Sequence, residues 1–169
     1  MADIGKISFN ATILPDELAK ELFGEECSYT PTATSEGWYY KLTNVTTTST
    51  DLIAGSFLQE GSTAAGTNTG SSPNAITTSD TVQFLFVKNM GVDTDGTTAR
   101  TESVYIALDA GAAAHGNADN IEISTGQSLG LVLNNTLVSS IHAITAQPKG
   151  ADVGSNEIQC IVAAIINDE

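Results

Sequence analysis

Nine consecutive residues, Thr81-Val82-Gln83-Phe84-Leu85-Phe86-Val87-Lys88-Asn89, constrain this chain more than any other stretch. Side chains alternate across a β-strand, so Val82, Phe84 and Phe86 share one face while Gln83, Leu85 and Val87 share the other. Both faces are largely apolar, which suits a strand in the middle of a packed sheet. The aromatic and β-branched content itself predicts a strand. Turn-forming residues fill 89–96, and Val104, Ile106 and Leu108 then alternate along a second strand, Glu102 to Leu108. Two strands joined by a polar turn predict an antiparallel hairpin at the centre of the fold.

The rest of the chain reads as layers around that hairpin. Ile4 to Ile13 predicts a half-buried strand, with Ile7, Phe9, Ala11 and Ile13 on one face. Leu14 to Gly24 predicts the one helix: Pro15 and Asp16 suit its first turn, Leu14, Leu18 and Leu22 recur at i, i+4, and Gly24 can stop it. Further strands are expected at Glu36 to Asn44, Leu52 to Leu58, Ile121 to Ile123, Leu129 to Leu133, Val138 to Ala146 and Glu157 to Ile166, with a turn at Asn134-Asn135. Strand and turn alternate at roughly ten-residue intervals in the second half, the pattern of sandwiches and jelly rolls. The expected fold is mainly β, an antiparallel β-sandwich or jelly-roll-like body with one short N-terminal helix. Residues 1–60 form a strand–helix–strand segment, a contact arm or small subdomain. Residues 61–80 are a Gly/Ser/Thr loop, and 81–169 are the sandwich core, one domain together with part of 1–60.

Charge narrows the functional classes. The net charge is −14, and each half of the chain carries −7. Six scattered cations make no basic patch, so contact with nucleic acid or an anionic membrane is disfavoured. The chain is 41% hydrophobic and 15% charged, which excludes a highly charged disordered protein. No apolar run approaches membrane-spanning length, and the N-terminus lacks a signal-peptide pattern, so synthesis in a cytoplasm without export by the general route is expected. Cys160 sits in an apolar strand pattern and reads as a buried thiol; a disulfide with Cys27 stays open.

No catalytic, cofactor or metal constellation emerges. His115 and His142 have no third ligand at a diagnostic spacing. Asp93-Thr94-Asp95-Gly96 has the oxygen-rich start of a Ca²⁺ loop, but the twelfth position is Val104, so it reads as a hairpin turn. The glycines of 61–74 come without a phosphate-binding lysine and signify flexibility or partner contact. Trp38, Tyr39 and Tyr40 invite a sugar-stacking idea, yet neighbours in a strand point to opposite faces and cannot form one platform. Core and interface packing is the reading of these three. The residues point to a binding or structural role.

Phe84 to Gly91, Glu102 to Gly111, Ile121 to Ile123, Gly126-Gln127-Ser128 with Leu129 to Leu133, and Ile158 to Ile166 form a series of strands and turns. In this order they resemble small virion proteins of tailed bacteriophages, over residues 80–166. The Ser/Thr/Gly/Ala/Asn-rich composition is similar too. The resemblance implies a capsid decoration (cement) protein, made in the bacterial cytoplasm and carried on the capsid exterior. Its partners would be the major capsid protein and further copies of itself, as a homotrimer, with no cofactor. On that reading Ile4, Ile7, Phe9, Ile13, Trp38, Tyr39, Tyr40, Thr67, Asn68 and Pro73 are candidate capsid or inter-subunit contacts. A tail, neck or fibre-associated component and a carbohydrate-binding module are the alternatives.

Overall fold

The computed structural model describes residues 5–13, 21–29, 35–59, 73–109, 113, 120–145 and 157–169. In chain order the strands are β1 (Gly5–Ile13), β2 (Glu21–Tyr29), β3 (Glu36–Val45), β4 (Thr50–Asp51), β5 (Ser56–Gln59) and β6 (Pro73–Ala75). They continue as β7 (Thr81–Asn89), β8 (Val104–Ala107), β9 (Ile121–Ile123), β10 (Ser128–Leu137), β11 (His142–Thr145) and β12 (Ile158–Asn167). Every pairing is antiparallel. One sheet runs β10-β7-β12-β3-β5-β6, a second runs β4-β11-β8-β9, and β1 pairs with β2 alone.

The strand 81–89 lies inside the large sheet, as its two apolar faces require, between β10 and β12. On its inner face Leu85 and Val87 are fully buried. They join Tyr39 and Val45 from β3 and Ile158, Cys160, Val162, Ala164 and Ile166 from β12. The second sheet contributes Val104, Ile106, Ile123 and Ala143 to the same core. Two antiparallel sheets thus share one apolar interior, whose removal from water is the main term favouring the fold.

The central hairpin expected between 81–89 and 102–108 does not form. Both edges of β7 are already taken, by β10 and β12, which leaves β8 no edge to pair with. The polar turn between them instead closes on itself. Val92 bridges Ala99, Asp93 N–H donates to Thr98 C=O at 2.8 Å, and Arg100 N–H donates to Gly91 C=O at 2.8 Å. The chain then crosses to the second sheet, where β8 pairs with β9 and β11.

The helix expected over 14–24 does not extend over its last four residues. Residues 21–24 begin β2, where Glu21 pairs with Ile13 and Leu22 with Thr12; 14–20 lie outside the described residues. Helix propensity is a weak preference in so short a segment. The N–H and C=O groups of a nine-residue strand need a partner, and 21–29 supply it.

Smaller differences have local causes. Asn134-Asn135 does not end a strand: β10 runs through it as an irregularity between Val132 and Thr136, with Asn135 at φ +54°. Gln83 forms the matching irregularity in β7 and donates to Asn135 Oδ1 at 2.6 Å. Asparagine tolerates the left-handed region better than most residues, which suits it to this position. Val138–Ser140 is a 3-10 turn, so the strand expected over 138–146 is shortened to β11. Leu52 and Ile53 are buried in a bend before β5. Pro73–Ala75, expected within the loop, pairs with β5, while 60–72 lie outside the described residues.

Candidate interaction surface

The register of the large sheet fixes which side chains share its outer face. Trp38, Tyr40 and Leu42 on β3 lie opposite Ile165, Ala163 and Ile161 on β12. Those pair in turn with Phe84, Phe86 and Lys88 on β7, and these with Val132, Gly130 and Ser128 on β10. Phe84 and Ile165 are buried, whereas Tyr40 is 68% exposed, Leu42 49% and Val132 46%. Trp38, Phe86 and Ile161 are half-buried. The result is an apolar strip across four strands, with Lys88 at one end and, at the other, Glu36, the next residue of β3 on that face, which is buried and accepts from the Tyr29 hydroxyl of β2.

Sequence-predicted contact residues fall unevenly around this strip. Trp38 and Tyr40 belong to it. Tyr39 points the other way and is core: its hydroxyl donates to Ala54 C=O and accepts from Ala54 N–H, both at 3.3 Å. Ile7, Phe9 and Ile13 lie on β1, opposite Cys27, Glu25 and Glu21, and Pro73 on β6 pairs with Leu58 on β5. Ile4, Thr67 and Asn68 lie outside the described residues. Leu42, Phe86, Ile161 and Val132 are the members that sequence reading missed. Each sat in a strand already identified, but a shared face depends on the pairing register, which one strand's alternation does not carry.

Polar groups elsewhere are tied into local structure. The Asp93 carboxylate accepts from the Arg100 guanidinium, and that bond, more than any other contact, holds its carboxyl below the usual range. Asp95 accepts from Thr98 Oγ1 at 2.6 Å and from the backbone N–H groups of Thr97 and Thr98, which hold it low as well. The segment is a self-capped turn, but not the turn of a β7–β8 hairpin that the sequence suggested. Among the described residues no group of three or more His, Cys, Asp or Glu is placed to hold a metal ion.

His142 Nε2 stands 3.1 Å from Asp51 Oδ1, while its Nδ1 is buried without a hydrogen-bond partner. A cleft of about 140 Å³ nearby is lined by Asp51, Ile53, Ile76, Thr77, Val138 and Ser139. Cys160 is a free, buried thiol, so it does not pair with Cys27, and burial pushes its pKa up to about 12. His115 lies outside the described residues.

The chain matches no family model, no curated protein and no solved structure.

Proposed function

We propose that this chain is a non-enzymatic structural protein of a tailed-phage virion. In the reading we favour it is a capsid decoration protein that binds the outside of the major capsid shell and stabilises the head. The observation that carries a docking role is the outer face of the large sheet, where Tyr40, Leu42 and Val132 are exposed on an apolar strip of a protein of net charge −14. Aromatic and aliphatic anchors on a flat, stiff support are what a protein–protein contact uses. The two sheets around one core fit the rigid body of a sandwich or jelly roll, while β1 and the loop 61–79 are the segments we assign to the shell itself. Such a protein works by binding alone, through repeated burial of matched surface around the particle's symmetry axes. Mixing the protein with DNA-free phage heads lacking decoration, then pelleting them, tests this. Saturable co-sedimentation at a fixed ratio to the shell protein is expected. Its absence, with labelled protein found instead on tails, would move the assignment to a tail or neck component.

Trp38 and Tyr40 sharing one face keeps a second reading, a sugar-stacking surface, in play. Glycan binding that quenches Trp38 fluorescence would favour it.

A further inference from the structure

We infer that β10, an edge strand of the large sheet, is where two copies of this chain pair, strand to strand and antiparallel about a two-fold axis. The inference goes beyond the docking role above and does not need it. β7 takes one side of β10, and among the described residues no backbone group bonds the other. The strand is open as well as unpaired: none of its ten residues is buried, Ser128 is exposed, and Val132 and Leu137 are 46% and 43% exposed. β2 comes within 8 Å of β10, Cα to Cα, but pairs only with β1. Pairing with another chain is the standing hazard of such an edge, and proteins block it with charges, prolines or bulges. Between Glu122 and His142 this chain places no charged residue and no proline. The one device present is the irregularity between Val132 and Thr136, which leaves 128–132 regular.

The geometry of 128–132 selects the occupant. Asn89 N–H donates to Gln127 C=O, so by alternation Leu129 and Leu131 bond to Val87 and Leu85, while Ser128, Gly130 and Val132 turn their N–H and C=O groups outwards. A second copy laid antiparallel with Gly130 on the axis meets the same groups in reverse. Gly130 exchanges both bonds with the partner's Gly130, and Ser128 with the partner's Val132. Leu129 then falls opposite the partner's Leu131, so half-buried leucines on the core side of one sheet are covered by those of the other. Head-to-tail pairing through the other edges of the two sheets is closed off. β6 and β9 have three residues each and β4 has two; β6 opens with Pro73, which has no N–H, and β4 and β9 carry Asp51 and Glu122. A strand that pairs with its own copy about a two-fold axis closes at two subunits. Charge agrees, since a chain of net −14 meets its copy along a segment without a carboxylate, where opposed like charges would weaken the contact.

Sedimentation equilibrium of the full chain, from about 10 µM to about 1 mM, tests the inference together with amide hydrogen exchange read by NMR. The average mass should climb with concentration from 17.5 kDa towards twice that value. Over the same range the amides of Ser128, Gly130 and Val132 should become protected, while those of Leu129 and Leu131, bonded to β7 in the monomer, should not change. Gly130→Pro removes an outward N–H and no bond to β7. With an unaltered circular dichroism spectrum it should weaken association by about tenfold or more, since each copy loses a donor and leaves an acceptor unpaired. Four outcomes overturn the inference: a monomer at every concentration, a three-fold mass, protection that arises elsewhere than at 128, 130 and 132, or a folded Gly130→Pro that associates like the parent chain. Should Gly130→Pro not fold, the exchange pattern of the parent chain decides alone. Pelleting with phage heads is a separate outcome, so the assignment to the shell stands or falls on its own.

Discussion

The side-chain amide of Asn89 donates to the backbone carbonyl of Ile123 at 3.2 Å, joining the end of β7 to the end of β9 in the other sheet. The same amide donates to Glu102 C=O at 3.1 Å, and its Oδ1 accepts from Gly91 N–H at 2.9 Å. Asn89 is fully buried, so no water can replace these partners. Asn89→Ala would take this side-chain partner from the Ile123 carbonyl and the Gly91 N–H, while Glu102 C=O keeps a 3.5 Å contact with Thr125 Oγ1. A buried group left unpaired costs about 1–3 kcal/mol, and we expect a loss of roughly 3 kcal/mol in urea unfolding. A loss near zero would mean that the two sheets are held at this end by packing alone.

Gly91 and Gly126 provide a matched pair of substitutions. Both have positive φ, +67° and +75°. A Cβ at Gly91 would meet Thr125 Cγ2 at 2.5 Å, while one at Gly126 meets nothing within 4 Å. Gly126→Ala should therefore cost only the left-handed penalty, about 1–2 kcal/mol. Gly91→Ala should cost more, because Thr125 must also move. Equal melting temperatures for the two variants would contradict this.

Cys160 gives a pH signature. Its ordinary value is 9.0, and burial raises it to about 12 in the fold. The folded chain then holds a proton that the unfolded chain releases between those values, so stability falls as pH rises from about 9 to about 12. At neutral pH the thiol is protonated and covered, and thiolate is the reactive form. Iodoacetamide should leave Cys160 unmodified in the native protein and label it after denaturation, as read by peptide mass. Fast native labelling would contradict its burial.

Arg100→Ala should free Asp93 from its main stabilising contact. Depressed in the fold, this carboxyl contributes stability above its ordinary value of 3.8 that is lost as pH falls through the folded value. The substitution should raise the Asp93 midpoint in an NMR titration and leave Asp95, held by Thr97 and Thr98, where it was. An unchanged Asp93 midpoint would assign its shift to the Thr94 contacts instead.

What the sequence makes legible here is local. The two apolar faces of 81–89 announce an interior strand, and the alternation of Val104 and Ile106 announces another. Neither says which strand lies beside which, so adjacency in sequence suggested a hairpin where the structure uses two sheets. Leu22, the last of the residues spaced by fours from Leu14, lies in β2 opposite Thr12, and a strand's period of two also puts residues four apart on one face. Trp38 and Tyr40 stood out as aromatics, but only pairing through β12, β7 and β10 joins them to Val132, about 90 residues along the chain.

The position of β12 bears on how the molecule is made. It comes last in chain order among the described strands, yet it lies between β7 and β3 and pairs with both along nearly its whole length. A ribosome delivers β3 and β7 long before the strand that must separate them, so until 158–167 emerge, two apolar strands wait with open edges. Assembly of the large sheet therefore waits for 158–167 and has a high contact order, slow by the general rule for distant pairings. A nascent chain stalled before Ile158 would carry the exposed strand edges that draw chaperones or aggregate.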